Sequence, residues 1–222
     1  LQQLTTFQRN PLFQDEGTPL VQLLKPGRMN VLVMNRMSGP LRLVILSAIV
    51  RRLLNERMAA SEAEKHLAIR NDLSQEERTR LATFLAGAVP RSLVALDEAQ
   101  NVLASERRTS AGEVLTRFVR EGRNYGLSFM VATQQPTALD SRILAQVDTL
   151  IAHKLTVQGD IEYVRRNLKS NMPQEVMHGG RTLEFDELLR SLDVGQALVS
   201  NTEAERAIIM DVRPRVSVHG GF

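Results

Sequence analysis

Apolar residues in this chain fall into short, strand-length blocks separated by stretches with helical spacing. Ser92-Leu-Val-Ala-Leu96 and Leu127-Ser-Phe-Met-Val131 are short, mainly apolar runs of five, the signature of buried strands. Met29-Asn-Val-Leu-Val-Met34 and Thr149 to His153 read the same way. Between and around them the period lengthens. Leu43, Leu46, Ile49, Val50, Leu53 and Leu54 recur at three and four residues after Ser38-Gly39-Pro40, predicting a long helix. Further helices are expected over Glu76 to Leu85, Ala111 to Glu121, Leu139 to Gln146, Asp160 to Leu168 and Leu183 to Leu189. Residues 1–28 carry turn punctuation and one short helix at most, and residues 55–75 suggest a helix tail and surface loop. Gln196 to Ser200 and Arg206 to Val212 form a hairpin pattern across Asn201-Thr202, and the tail from Arg213 is extended.

Alternating strands and helices, with strands apolar on both faces, predict an α/β fold: a mostly parallel sheet flanked by helices, with a C-terminal hairpin. The economical division is an N-terminal turn and helix segment over 1–28, a core over 29–170, and a terminal helix, hairpin and tail over 171–222.

Composition narrows the chemistry. The chain has no cysteine, which removes disulfides, thiolate nucleophiles and cysteine zinc sites. His66, His153, His178 and His219 are scattered, with no pair at metal-ligand spacing. The longest apolar stretch, Leu43 to Val50, is too short to span a bilayer, and no signal-like segment opens the chain, so the cytoplasm is the expected compartment. Net charge is only +3, but among the cationic residues only Lys25, Lys65, Lys154 and Lys169 are lysines. An arginine-rich set suits bidentate phosphate or carboxylate pairing, and suits a GC-rich genome equally well.

The strongest chemical signal is Leu93-Val-Ala-Leu-Asp97-Glu98-Ala-Gln100. Ligands of open α/β sheets sit at the carboxyl ends of strands, and this strand delivers two adjacent carboxylates there. Asp97 is placed to hold a magnesium shell, and Glu98 to orient or deprotonate an attacking water. The alternative is that both cap the turn that follows. Ala132-Thr133-Gln134-Gln135-Pro136 ends the next strand. Thr133 and Gln134 would emerge beside the acidic pair if the strands are neighbours, and otherwise form a polar strand end before a proline turn. Arg123 lies in a glycine-bounded turn, either reaching a neighbouring subunit's nucleotide or serving as a salt-bridged loop arginine.

The phosphate-binding pattern Gly-x-x-x-x-Gly-Lys-Ser/Thr does not occur in the chain, nor does Gly-x-Gly-x-x-Gly. A loop supplied upstream in a longer product is the simplest expectation, with supply by a partner or loss of catalysis as the alternatives.

Together these residues resemble the C-terminal part of the RecA-like core in the HerA/FtsK superfamily of DNA-translocating ATPases, nearest its HerA-like branch. The resemblance runs from about Pro26 to the Pro214 region. It is sharpest over residues 93–100 and over Phe118-Val-Arg-Glu-Gly-Arg-Asn-Tyr-Gly-Leu-Ser-Phe-Met-Val-Ala-Thr-Gln-Gln-Pro136, with Asp148 to His153 similar to the family's next core strand. The resemblance implies that Asp97 and Glu98 are the Walker B pair, with Gln134 a polar sensor and Arg123 acting across a subunit interface. It also implies ATP and Mg2+ as ligands, double-stranded DNA as substrate, a hexameric ring and, in some members, a NurA-type nuclease partner. The family's phosphate loop and N-terminal barrel have no counterpart here. The functional expectation is therefore part of a DNA-dependent ATPase motor. The alternatives are a non-catalytic assembly or nuclease-binding module, and a conjugation or export ATPase.

Overall fold

The computed structural model describes residues 17–103, 110–167, 175–178, 180–201 and 206–216. Expectations for residues 1–16, for Thr202 in the hairpin connection and for the tail beyond Val216 lie outside them. The chain divides into two compact units, the first Leu1–Ala95 with Arg117–Met130, the second Leu96–Thr116 with Val131–Phe222.

In the first unit, a single helical turn α1 (Leu20–Leu23) precedes the long helix α2 (Gly39–Ile69). Pro40 sits in the first turn of α2, where its missing N–H costs nothing. The helix runs well past the bulky apolar pattern: residues 55–69 are its tail, and the surface loop is confined to 70–74. Its buried stripe continues through Arg57, Ala60, Ser61 and Ala63, small or polar positions that a search for large apolar residues overlooks. Helix α3 (Gln75–Ala86) starts at a capping box: Glu77 N–H donates to Ser74 Oγ at 3.2 Å, and Ser74 N–H donates to Glu77 Oε2 at 2.8 Å.

Strands β1 (Ser92–Leu96) and β2 (Leu127–Val131) follow, separated by helix α4 (Ser110–Glu121). The ladder runs from Ser92 N–H on the Gly126 carbonyl to Ala132 N–H on the Leu96 carbonyl, so β1 and β2 are parallel. Phe118 and Phe129 meet edge to face with centroids 5.8 Å apart. Buried Arg57 pins the first unit. Its guanidinium donates to the carbonyls of Tyr125 at 2.9 Å and Val89 at 3.0 Å, and pairs with Glu64 at 3.1 Å. Arg91 pairs with the other Glu64 oxygen at 2.9 Å, and its stem lies against Gly126, where a Cβ would come within 2.6 Å of Arg91 Cγ. The Arg91 hydrogen bond holds the Glu64 carboxyl below its ordinary pKa, with Arg57 adding to it against the cost of burial.

In the second unit, α5 (Ser141–Leu144), β3 (Thr149–Ala152) and α6 (Gln158–Asn167) lead to a small ribbon. That ribbon is β4 (Glu175–His178) paired with β5 (Arg181–Glu184), followed by α7 (Phe185–Ser191). Strands β6 (Gln196–Asn201) and β7 (Arg206–Asp211) form the expected hairpin, and β3 pairs with β6 to give the order β3-β6-β7. The unit's core gathers Ala152, Ile161, Phe185, Leu188, Leu189 and Leu198.

The fold is α/β with mixed sheets, which corrects the expectation of a mostly parallel one. Among the described residues only β1-β2 is parallel; β3-β6-β7 and β4-β5 are antiparallel. For the β4-β5 and β6-β7 pairs the cause is connection length. Parallel neighbours need a crossover of roughly a dozen residues or more, which the segment between β1 and β2 supplies and the short links β4-β5 and β6-β7 cannot. Two further expectations are corrected. Residues 29–34 form no strand: they make no ladder among the described residues, and Met29 and Val33 are 88% and 70% exposed. An apolar run has strand potential but needs a partner to become one. The helix expected over Leu183–Leu189 begins only at Phe185, because residues 181–184 are drawn into pairing with β4.

Candidate functional site

The polar residues at the ends of β1 and β2 come together within the second unit. Past Leu96, the backbone of Ala132 bonds to Leu96, and Ala99 N–H donates to the Ala132 carbonyl at 3.0 Å. Ala99 is fully buried, so the turn carrying Asp97 and Glu98 is tied to the segment carrying Thr133 and Gln134.

Glu98 stands in the left-handed region, at φ 50° and ψ 46°, the sole non-glycine with positive φ among the described residues. For a residue with a Cβ this conformation costs about 1–2 kcal/mol, and such outliers gather at functional sites. The turn is braced by Glu98 N–H donating to Asp97 Oδ1 at 2.9 Å. The conformation aims the Glu98 carboxylate at two glutamine amides. Gln134 Nε2 donates to Oε1 at 2.9 Å, and Gln100 Nε2 donates to Oε2 at 2.5 Å. Thr133 Oγ1 in turn donates to Gln100 Oε1 at 2.7 Å and accepts Gln135 N–H at 3.0 Å.

The neighbouring loop is fixed from behind. Pro136 and Leu139 are buried, Asp140 N–H donates to the Leu103 carbonyl at 3.0 Å, and Thr137 is held by Asp160. Asp97 is exposed, and its Oδ2 has no partner among the described residues. Those residues contain no group of three or more acidic or histidine side chains able to hold a metal.

Four of the residues singled out from sequence, Asp97, Glu98, Thr133 and Gln134, are thus brought into one cluster. Arg123 belongs to the first unit, on the 3-10 turn Gly122–Tyr125. It is exposed, and its side chain makes no ion pair or hydrogen bond among the described residues. Its nearest acidic neighbour in sequence, Glu121, is taken by Arg117 at 2.8 Å and Arg120 at 3.1 Å, and these bonds hold that carboxyl below its ordinary pKa. His153 is satisfied structurally, with Nδ1 2.8 Å from the Gln196 carbonyl. The residue that sequence reading passed over is Gln100. Its signal was a second amide two places beyond Glu98, and only the turn geometry shows that it faces back onto the carboxylate.

Comparison with known proteins finds distant relatives of this chain. The DNA double-strand break repair helicase HerA of Saccharolobus solfataricus is 23% identical over 183 residues, covering 82% of this chain and 31% of that protein. HerA of Pyrococcus furiosus is 27% identical over 150 residues, covering 65% and 27%. HerA of Sulfurisphaera tokodaii is 28% identical over 107 residues, covering 48% and 20%. The chain thus has a distant sequence link to HerA/FtsK-like P-loop ATPases. It spans less than a third of the length of each of these three relatives. No protein-family model matches it. Among solved structures, the genome packaging NTPase B204 of Sulfolobus turreted icosahedral virus 2, in complex with AMPPCP, superposes at a TM-score of 0.46 with 13% identity. That superposition covers 63% of this chain and 61% of that one. No helix among the described residues is long and apolar enough to cross a membrane.

Proposed function

We propose that this chain is the water-activating part of an ATP-driven DNA motor, acting within a ring of copies on double-stranded DNA. The observation that carries the reading is the Glu98 carboxylate, held in a left-handed turn at a strand end and facing the amide of Gln134 from the neighbouring strand segment. The HerA relatives, described as DNA double-strand break repair helicases, supply the class of work.

In this reading Glu98 orients water and accepts its proton, and Gln134 exchanges its bond to Glu98 for one to the nucleotide's terminal phosphate. Thr133 shapes the same end of the nucleotide site. Asp97 fits a magnesium ion: its free oxygen is a hard donor, and magnesium takes one or two carboxylates and fills its shell with phosphates and water, so no protein cage is required. When bound, that ion would neutralise charge developing on the phosphates. Exposed Arg123, free of any ion pair among the described residues, is available to a neighbouring subunit's nucleotide. A hexameric ring and a NurA-type nuclease partner in DNA end processing complete the proposal.

The deciding experiment is steady-state ATP hydrolysis, with and without duplex DNA, by the longest form the gene encodes, beside its Glu98→Gln variant. General-base catalysis is typically worth 10²–10⁴-fold, so Glu98→Gln should lower turnover by about a hundredfold or more while nucleotide binding persists. Unchanged turnover in the variant would sink the assignment.

A further inference from the structure

We infer that Gln100 is the positioning residue of this site: its amide, oriented by the Thr133 hydroxyl, anchors one oxygen of Glu98 so that Gln134 alone governs access to the other. The inference rests on the proposed ATPase reading and deepens it.

A glutamine amide has one accepting end and one donating end, and its use depends on which way it faces. Here the orientation is dictated by a directed chain of donors. Gln135 N–H donates to Thr133 Oγ1, which leaves the Thr133 proton for Gln100 Oε1. With its carbonyl end engaged there, Gln100 must present Nε2 to Glu98 Oε2, where it lies at 2.5 Å. Each donor in such a chain polarises the next. Glu98, Gln100 and Thr133 are all half-buried, so the chain is partly shielded from competing water.

The two glutamines have different standing. Gln100 is locked at both ends of its amide, one on Thr133 and one on Glu98. Gln134 is exposed and touches the carboxylate through its single bond to Oε1. If Gln134 swings to another acceptor, Oε1 opens while Oε2 stays anchored, leaving one defined position for a water proton. Without Gln100, the same departure would release the whole carboxylate to rotate. Besides its place at the end of the nucleotide site, Thr133 thereby sets the direction of the Gln100 amide.

The test uses the longest form the gene encodes and follows kcat, KM and the Kd of a non-hydrolysable ATP analogue. It compares wild type with Gln100→Leu, Thr133→Val and Thr133→Ser, taking Glu98→Gln as the reference. Loss of alignment by about an ångström costs up to about a hundredfold. Gln100→Leu should therefore lower kcat about tenfold or more, with Kd held within about twofold; Thr133→Val should lower kcat comparably, and Thr133→Ser, which keeps the hydroxyl, should recover most of that loss. Wild-type kcat in Gln100→Leu overturns the inference. So does a parallel loss of analogue binding and kcat, or Thr133→Ser as impaired as Thr133→Val. Absence of any turnover sensitive to Glu98→Gln instead removes the ATPase reading itself, an outcome distinct from failure of the Gln100 role.

Discussion

Gln134 donates its amide to Glu98 Oε1 at 2.9 Å, joining two residues thirty-six positions apart across the ends of two parallel strands. Neither residue is deeply buried, so the bond contributes little to folding and is weak enough to be exchanged. That suits a contact made in one state of a cycle and broken in another.

If the bond is exchanged during turnover, Gln134→Ala should lower kcat about tenfold or more, because a donor aimed at developing charge is lost. Thermal stability should remain close to wild type, since the exposed amide supports no core packing. Turnover and melting temperature measured together separate the two. A large loss of stability with normal kcat would make Gln134 a structural residue.

The left-handed turn at Glu98 gives a test of stored strain. Glycine adopts positive φ without the Cβ penalty. Glu98→Gly should therefore be more stable than Glu98→Ala by about 1 kcal/mol, both variants having lost the carboxylate and its two amide partners. Urea unfolding of the pair reads this difference directly, and equal midpoints would remove the strain argument.

Arg57 should be the costliest charged side chain to remove from the first unit. It is 3% exposed, and its removal strips the Val89 and Tyr125 carbonyls of their donor and Glu64 of a partner. Arg57→Met should destabilise by about 3 kcal/mol. Arg57→Lys should recover only part of that, since an ammonium cannot reproduce the planar fork. Denaturant midpoints check both.

Glu64 makes the stability of the first unit sensitive to acid. Its folded pKa is depressed, chiefly by the Arg91 hydrogen bond and secondarily by Arg57. A carboxylate with a depressed folded pKa stabilises the fold above its unfolded pKa, and that stability is lost as pH falls through the folded value. The window opens at the ordinary glutamate value of 4.5 and extends below it. Glu64→Gln should be less stable than wild type at neutral pH, with a flatter acid limb. Parallel acid limbs for the two proteins would assign the titration to other groups.

Much of this architecture is local and therefore written in the sequence. The strand run Ser92–Leu96 ends where the polar residues begin, Leu127–Val131 ends one residue before them, and the capping pair Ser74 and Glu77 starts its helix within three residues. The hairpin of β6 and β7 needs only two apolar runs and a short link. The acidic pair Asp97 and Glu98 and the polar end Thr133-Gln134 were legible because charge and amide groups at the ends of apolar strands are chemically conspicuous.

What the tertiary structure decided depends on residues far apart in the chain. The apolar content of 29–34 promised a strand, but pairing is a property of two segments, and no ladder forms there among the described residues. Strand direction was not written in apolarity: short links make β4-β5 and β6-β7 antiparallel, and β3 and β6 pair antiparallel across a long connection. The length of α2 rested on burial of Arg57, Ala60 and Ala63, which depends on the surfaces opposite them. Gln100 looked like a polar residue in a turn until the left-handed geometry of Glu98 and the hydroxyl of Thr133, from another strand end, gave its amide a direction. Periodicity and residue chemistry act over a few neighbours and can be read along the chain, whereas hydrogen-bond direction and strand partnership exist only once distant segments meet.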